Sequence, residues 1–526
     1  MKNPITRRDF LKLAGLLPLS VAAPKLANLP YLKQQAGKPQ NIIIVVFDAF
    51  SAYNISLYGY QRETTPNIAR WAERAVVYHN HHAGGNFTIP GTASLLTGTF
   101  PWTHRAFGLD KKDVKKTFLD KNIFSAFPNH YRIAYTHNPV ANQLLTQFTG
   151  KMSEYVPRGK LFLANDDFID TLFEHDEDVA SVSWIRAMKR KEEGFAYSLF
   201  LAYLFEKQRE KIISGLQSQF PRGIPHVATD DYFLLEDAIN WLTKTLDTLP
   251  KPYMGYFHFM PPHFPYLTHR DFQDRFEGDG LFPEFKPLDV FSKGEDKNYE
   301  FVLRKRTNYD EYVLYADREF GRLMENLESS GILDNTWVIL TSDHGEMFER
   351  GIVGHTTPVL YEPVIKVPLM IFEPGQTNRR DIYVNTSAVD LLPTLLHITG
   401  QPPADWGEGT VMPPFAPEPD PGRSLYVVQA RQNAQFEPLT VSTIALIKGQ
   451  YKLMYFFGYD ELGGLGQERI ELYDLENDPE ELNDLYTTKR ETAADLLDEI
   501  RTKITEVDEP YTSNSYEQPD FIAHKG

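Results

Sequence analysis

Along the chain, short runs of apolar residues alternate with longer stretches of helical spacing. Asn41-Ile-Ile-Ile-Val-Val-Phe47 carries six apolar residues in succession and stops at Asp48. A run that is apolar at odd and even positions alike suits a strand covered on both faces, as in a parallel sheet. A helix is predicted over 65–74, with Pro66 in its first turn. Strands follow over 133–136, 253–260, 337–341 and 368–372, with helices over 232–246, 309–327 and 388–398. In the helix over 309–327, Tyr312, Tyr315, Ala316, Phe320 and Leu323 share one face. Repeated strand–helix order predicts an α/β fold with a doubly wound, mostly parallel sheet. Beyond it, 425–429, 441–447, 451–457 and 470–475 read as short strands separated by turns, and 491–505 as a helix, predicting a small antiparallel α+β subdomain.

The pattern divides the chain into a catalytic α/β domain over 38–400, a Pro/Gly-rich linker over 401–423, the antiparallel subdomain over 424–507 and a tail over 508–526. An insertion at about 160–225 interrupts the alternation. Within it, 195–205 is almost wholly apolar and is followed by a charged run, read as a core helix of an inserted lid over the site entrance. At the N-terminus, Arg7-Arg8-Asp9-Phe10-Leu11-Lys12 precedes a short apolar stretch and small residues. This layout resembles a twin-arginine export signal, with cleavage expected after Ala22. It implies the Tat export machinery as a partner and a periplasmic or extracellular destination.

Composition narrows the chemistry. Of 526 residues, 42% are hydrophobic and 24% charged, the balance of a folded chain rather than a disordered one. There is no cysteine, which excludes disulfides, thiolate metal sites and a cysteine nucleophile. A net charge of −17 argues against a general nucleic-acid binder.

Asp48 and Asp343 each stand just past the carboxyl end of a predicted strand, the edge where open α/β sheets bind ligands. With His344 they make a candidate site for a divalent metal, the imidazole shifting the preference toward Zn or Mn. Thr88 opens a predicted helix containing Pro90, where backbone N–H groups favour an anion such as a phosphoryl or sulfuryl group. A hydroxyl next to a metal loses its proton more readily and becomes a nucleophile. Taken singly, each Asp and Thr88 reads as a helix cap in preference to a site residue.

The motifs change those weights. Asn41–Asp48, Leu57-Tyr58-Gly59-Tyr60, Thr64-Thr65-Pro66-Asn67-Ile68 and Thr88–Gly98 occur in the order seen at the start of sulfatases. Pro262-His263-Phe264-Pro265, Thr341-Ser342-Asp343-His344-Gly345-Glu346, His355, Tyr361-Glu362 and Lys366-Val367-Pro368-Leu369 continue the likeness. Gly422-Arg423-Ser424-Leu425 and Leu472-Tyr473-Asp474-Leu475 extend it into the C-terminal part. The chain thus resembles the sulfatase family of the alkaline phosphatase superfamily over about residues 40–486, the insertion excepted. The resemblance implies an alkaline-phosphatase-like fold and a metal-dependent ester hydrolase or transferase with a covalent intermediate. Carried over by position, Asp48, Asp343 and His344 become metal ligands. Thr88 takes the nucleophile's place and is read as a further ligand. His263 and His355 take substrate-binding or acid–base positions.

The departures point to a different substrate. Thr88 stands where the family has a Cys or Ser that is oxidised to formylglycine, and threonine is not a precursor of that aldehyde. Thr92 replaces the family's arginine, Asn138 and Thr357 two lysines that grip the sulfate, and Ala49 a second metal-binding aspartate. Asn138, Thr92 and Thr357 are accordingly read as substrate-binding positions. A threonine nucleophile beside a metal resembles superfamily members that act on phosphate esters. The expected function is hydrolysis of phosphodiester or phosphonate esters through a covalent Thr88 intermediate. The alternatives are a sulfuric ester hydrolase without formylglycine, a phosphoryl-headgroup transferase and a non-catalytic ligand-binding homologue. The expected cofactor is one divalent ion (Mn, Zn or Mg, with Ca a further candidate), the place of a second being open. The expected substrate is a small-molecule, glycan or lipid-headgroup ester. His258, His137 and His104 are spare candidates for the ligand set of a second metal, each read in preference as structural or peripheral.

Overall fold

The computed structural model describes residues 39–108, 113–163, 197–227, 231–417 and 422–512. The expected signal peptide at 1–22, the insertion from 164 to 196 and the tail from 513 onward lie outside the described residues. In chain order the first strands are β1 (Asn41–Phe47), β2 (Val76–Tyr78), β3 (His81–His82), β4 (Tyr131–Thr136), β5 (Glu154–Tyr155) and β6 (Tyr253–Phe259). They are followed by β7 (Thr336–Thr341), β8 (Met347–Glu349), β9 (Ile352–Gly354), β10 (Leu369–Phe372), β11 (Arg380–Ile382) and β12 (Thr386–Ser387). The last four are β13 (Ser424–Gln429), β14 (Ser442–Lys448), β15 (Tyr451–Phe457) and β16 (Glu468–Asp474). The longer helices are α1 (Pro66–Ala72), α2 (Thr88–Thr97), α3 (Pro139–Thr146), α4 (Tyr197–Leu216), α5 (Leu235–Thr248), α6 (Tyr299–Ser329), α7 (Leu391–Ile398) and α8 (Arg490–Thr512).

The central sheet has eight strands in the order β11-β2-β10-β7-β1-β6-β4-β5. All its pairings are parallel except those of β10, which runs against both β7 and β2. The double-sided apolar run of β1 is used as its pattern requires. Ile43, Val45 and Phe47 enter one core with α1, α5 and α6. Ile42, Ile44 and Val46 enter the opposite core with α2, α3 and α7. The fold is the alkaline-phosphatase-like α/β architecture, with the four-stranded antiparallel sheet β13-β14-β15-β16 and α8 at the C-terminal end.

Parallel pairing puts four carboxyl ends on one edge. Val46 lies opposite both His258 of β6 and Thr341 of β7, and Thr136 of β4 also lies opposite His258. The loops leaving β1 and β7 lock together. Phe50 N–H donates to Ser342 Oγ at 2.9 Å, and Ser342 Oγ–H donates to the His344 carbonyl at 2.7 Å. Tyr309 of α6 pins the same turn by donating to the Ala49 carbonyl at 2.6 Å and accepting from Ser51 N–H at 2.9 Å. Ala49 itself sits in the left-handed region, φ 59°, a strained setting for a side chain with a Cβ.

One reading of composition looks different in the structure. The described part of 401–423 does not hang free: Met412 and Phe415 are buried in the β1 core, and Tyr78 donates to the Pro413 carbonyl at 2.7 Å. In the insertion, the apolar run begins helix α4, where Leu204 is 47% exposed; the burial of the rest of the run, on which the expected core helix turns, lies outside the described residues. Among the described residues, no helix is long and apolar enough to cross a membrane.

Candidate active site

Asp48 follows β1, Asn138 follows β4, His258 is the penultimate residue of β6, and Asp343-His344 follow β7. All are buried at the shared strand edge. His258 Nε2 lies 3.1 Å from Asp48 Oδ2 and 3.8 Å from Asp343 Oδ2. His344 Nε2 lies 3.4 Å from Asp48 Oδ1 and 3.6 Å from Asp343 Oδ2. Helix α2 delivers Thr88 to the same point. It packs so closely that a Cβ on Gly91 would stand 2.1 Å from the Asp343 carbonyl oxygen, so glycine is required there.

Thr88 is the first residue of α2, and the residue preceding the helix is Phe87, with no side-chain cap. The threonine hydroxyl is thus not spent on its own helix. It lies 3.4 Å from His344 Nε2 and accepts from Asn138 Nδ2 at 3.4 Å. The Asn138 amide has one orientation available. Its Oδ1 caps α3, accepting from Val140 N–H at 2.6 Å and Ala141 N–H at 3.1 Å, so Nδ2 turns to Thr88 and to Asp48.

Carbonyl partners fix the histidine tautomers, because a carbonyl only accepts. His344 Nδ1–H donates to the Gly345 carbonyl at 2.9 Å, and His263 Nδ1–H to the Phe264 carbonyl at 2.6 Å. The neutral His344 ring therefore aims a lone pair at two carboxylate oxygens and a hydroxyl. That arrangement is repulsive unless a proton or a cation occupies the space between them. Asp48 Oδ1 is buried and has no hydrogen-bond donor of its own. Asp48, His258 and Asp343 offer ligand atoms within 4.8 Å of one another, a group able to hold one divalent metal. The donors fit such an ion: hard carboxylates, and the His344 imidazole in the ligand tautomer.

The electrostatics follow from that crowding. Burial alone would raise the Asp48 carboxyl, but the charges and hydrogen bonds of His263, His258 and His344 hold it well below the carboxylate range. Asp343 is raised, by burial first and then by Asp48. Burial opposes protonation of His344, yet Asp343 and Asp48 lift it to about 9. His258 is raised in the same way, Asp343 and Asp48 outweighing burial. At the mouth, burial and the neighbouring His344 push His355 down to about 3, while burial raises Glu346 to about 7.

The structure brings together Asp48, Thr88, Asn138, Asp343 and His344 of the expected set. His355 and His263 lie at its mouth, ring centroids 4.2 Å and 6.4 Å from His344 and 4.9 Å from each other. Two expectations change. Thr92 is fully buried and donates to Asp343 Oδ2 at 3.3 Å, so it orients a carboxylate rather than meeting substrate. Thr357 is buried in the turn after His355, where its hydroxyl accepts from Val359 N–H at 3.5 Å. A third correction concerns His258, read as spare and found inside the cluster. The available signal was its place: a histidine one residue from the carboxyl end of an otherwise apolar strand. His104 and His137 stay outside, His104 bonded to Ser94 and to Ala106 N–H, His137 stacked on Phe233.

Comparisons with known proteins agree with this geometry. The structure of a phosphonate monoester hydrolase from Agrobacterium radiobacter superposes with a TM-score of 0.62 at 18% identity, over 88% of this chain and 96% of that one. A 2-O GAG sulfatase structure gives 0.62 at 16% identity, over 90% and 94%. Among curated proteins, the choline-sulfatase of Rhizobium meliloti (strain 1021) is 25% identical, over 86% of this chain and 83% of its own. The multifunctional alkaline phosphatase superfamily protein PehA of Trinickia caryophylli is 22% identical, over 85% and 91%. A model of the C-terminal part of N-sulphoglucosamine sulphohydrolase matches residues 355–509. The sulfatase model matches residues 40–401, most of the described sheet and every strand end that carries the cluster, and the chain belongs to the sulfatase family of hydrolases, within the alkaline phosphatase superfamily.

Proposed function

We propose that this protein hydrolyses phosphodiester or phosphonate esters through a covalent intermediate on Thr88. One observation carries the reading: a threonine hydroxyl free of its own helix, 3.4 Å from His344 Nε2, at the N-terminus of α2 and beside two buried carboxylates. The chain has no cysteine from which the family's aldehyde could be made.

Charge balance indicates the substrate class. Among the described residues, the ion pairs of Asp48 and Asp343 are with His258 and His344, not with lysine or arginine. Two carboxylates and one divalent ion sum to about zero, so the site suits a monoanion such as a phosphodiester or a phosphonate monoester. A dianionic phosphomonoester would lack its counter-charge. Asp48, Asp343, His258 and His344 would hold the ion, which when bound supplies positive charge facing the nucleophile and the transferring group.

The chain's own groups account for the remaining steps. Thr88 Oγ attacks phosphorus in line with the leaving oxygen, and that P–O bond breaks. Asn138 Nδ2 holds the hydroxyl in place. His263 and His355 manage protons at the mouth, one reaching the leaving oxygen and one being taken from the water that cleaves phosphothreonine. Relatives of both kinds bear on the choice: one is named for phosphonate monoester hydrolysis and another for choline sulfate. A sulfuric ester hydrolase using Thr88 is therefore the second reading.

Side-by-side assays with Mn, Zn, Mg or Ca test the proposal. Bis-p-nitrophenyl phosphate and a phosphonate monoester should turn over faster than p-nitrophenyl phosphate and p-nitrophenyl sulfate. Faster sulfate release from the same preparation would establish the second reading instead. The N-terminal pattern supports export, which a fusion of residues 1–40 to a reporter would test by its exclusion from the cytoplasm.

A further inference from the structure

The segment after His344 is a hairpin with a symmetric layout. β8 and β9 pair antiparallel with Met347 opposite Gly354, Phe348 opposite Val353 and Glu349 opposite Ile352. The two-residue loop, Arg350-Gly351, has φ of 55° and 70°, the double left-handed turn that matches strand twist. One step beyond the open end of that ladder, Glu346 and His355 face each other. Their meeting is set by the register: Glu346 Oε1 lies 3.0 Å from His355 Nδ1. Glu346 is 1% exposed, with Tyr266 as a further side-chain partner. The hairpin starts three residues after a metal-ligand candidate, His344, so it joins the strand edge to the mouth of the site through one turn.

We propose that Glu346 is the positioning residue of His355, holding Nδ1–H so that Nε2 is the atom offered to the substrate. The proposal rests on the reading above, in which His263 and His355 manage the protons, and assigns the leaving oxygen to His355. A carboxylate accepts Nδ1–H and selects the tautomer with a free Nε2, as the carbonyl of Phe264 does for His263. Thr88 releases its proton to solvent as it attacks, and Nε2, on the opposite side of phosphorus, gives a proton to the leaving oxygen as that P–O bond breaks. In the second half-reaction the attacking water gives one proton to Nε2, and Thr88 takes one from solvent as it leaves. The ring ends the cycle as it began.

The test has one arm that needs no turnover. In full-length protein labelled with 15N-histidine, long-range 1H–15N spectra read the His355 tautomer, assigned with His355→Asn. The wild type should show Nδ1–H, and Glu346→Ala, which removes the acceptor facing Nδ1, should shift the ring toward Nε2–H. An Nε2–H ring in the wild type, or a ring unchanged in Glu346→Ala, overturns the proposal. The kinetic arm compares leaving groups. Glu346→Ala should lose on the order of 10²-fold in kcat with an alkoxide leaving group and about tenfold or less with p-nitrophenoxide. Equal losses for both overturn the proposal. A tautomer set by Glu346 in a protein inert to every ester would uphold the pairing and reject the phosphoester reading.

Discussion

His258 Nε2 stands 3.1 Å from Asp48 Oδ2, across the neighbouring strands β6 and β1. The contact makes His258 a ligand candidate of equal rank with the aspartates. His258→Ala should weaken Mn or Zn binding by at least the 10–100-fold typical of losing a supporting partner. Calorimetric titration of metal-free protein checks this, with circular dichroism to confirm folding. Unchanged affinity would place His258 outside the coordination sphere.

Thr88 provides the sharpest kinetic prediction. Thr88→Ala should lower kcat at least about 10³-fold, the scale of removing a covalent nucleophile. Thr88→Ser should retain a measurable fraction, because it keeps the hydroxyl. Mass spectrometry of acid-quenched enzyme should find a phosphoryl group on the peptide containing Thr88. Burst-free kinetics together with an unmodified peptide would argue for direct attack by water.

Metal binding should release protons. The value of His344 rises from 6.5 to about 9 because Asp343 and Asp48 outweigh burial. Protonated His344 therefore stabilises the metal-free protein fully below about pH 6.5, and that stability is lost as the pH rises through about 9. A cation competes with this proton, so apparent affinity for Mn should climb across that window. Titrations in buffers of different ionisation enthalpy measure the protons released. A flat affinity and no release would show that His344 is not displaced from its proton by the metal.

Gly91 offers a test of packing rather than chemistry. A Cβ there meets the Asp343 carbonyl oxygen at 2.1 Å, which must push α2 away from β7. Gly91→Ala should cost about 1–3 kcal/mol by overpacking. It should also move Thr88 relative to Asp343, so activity falls more than thermal stability. A variant with wild-type kcat would show that the helix can retreat without disturbing the hydroxyl.

The parts legible in the sequence were those with local signatures. Ile42 to Phe47 could only be a strand buried on both faces, and Asp48 marked its functional end. Asp343, His344 and Thr88 were visible through motif context and turn out to share one strand edge. His258 was not, because in an apolar strand a single histidine has the same local appearance whether it packs or binds. Its role depends on the register with β1, which is a long-range fact. Thr92 and Thr357 were misplaced because alignment to a cation does not say where a shorter neutral side chain finds its hydrogen bond. The 401–423 stretch was read as a linker from its prolines, yet Met412 and Phe415 pack into the core. Proline reports on backbone choice, not on whether a segment is covered.

Ala49 N–H reaches Asp343 Oδ1 across 294 positions of chain, and the neighbouring donors arrive from three strands, β1, β6 and β7. Such a centre has no local precursor. Closing loops of this span is slow and entropically costly, so the donors converge only when the sheet itself is complete. A cation cannot template an early hairpin or helix here; it selects the finished molecule. Bound at a concentration 100 times its Kd, it would add about 2.7 kcal/mol to the stability of the whole fold. Occupancy of the centre is therefore a global reporter. A destabilising change far away, in α8 for example, should appear as a loss of apparent metal affinity before any side chain near Asp48 has moved.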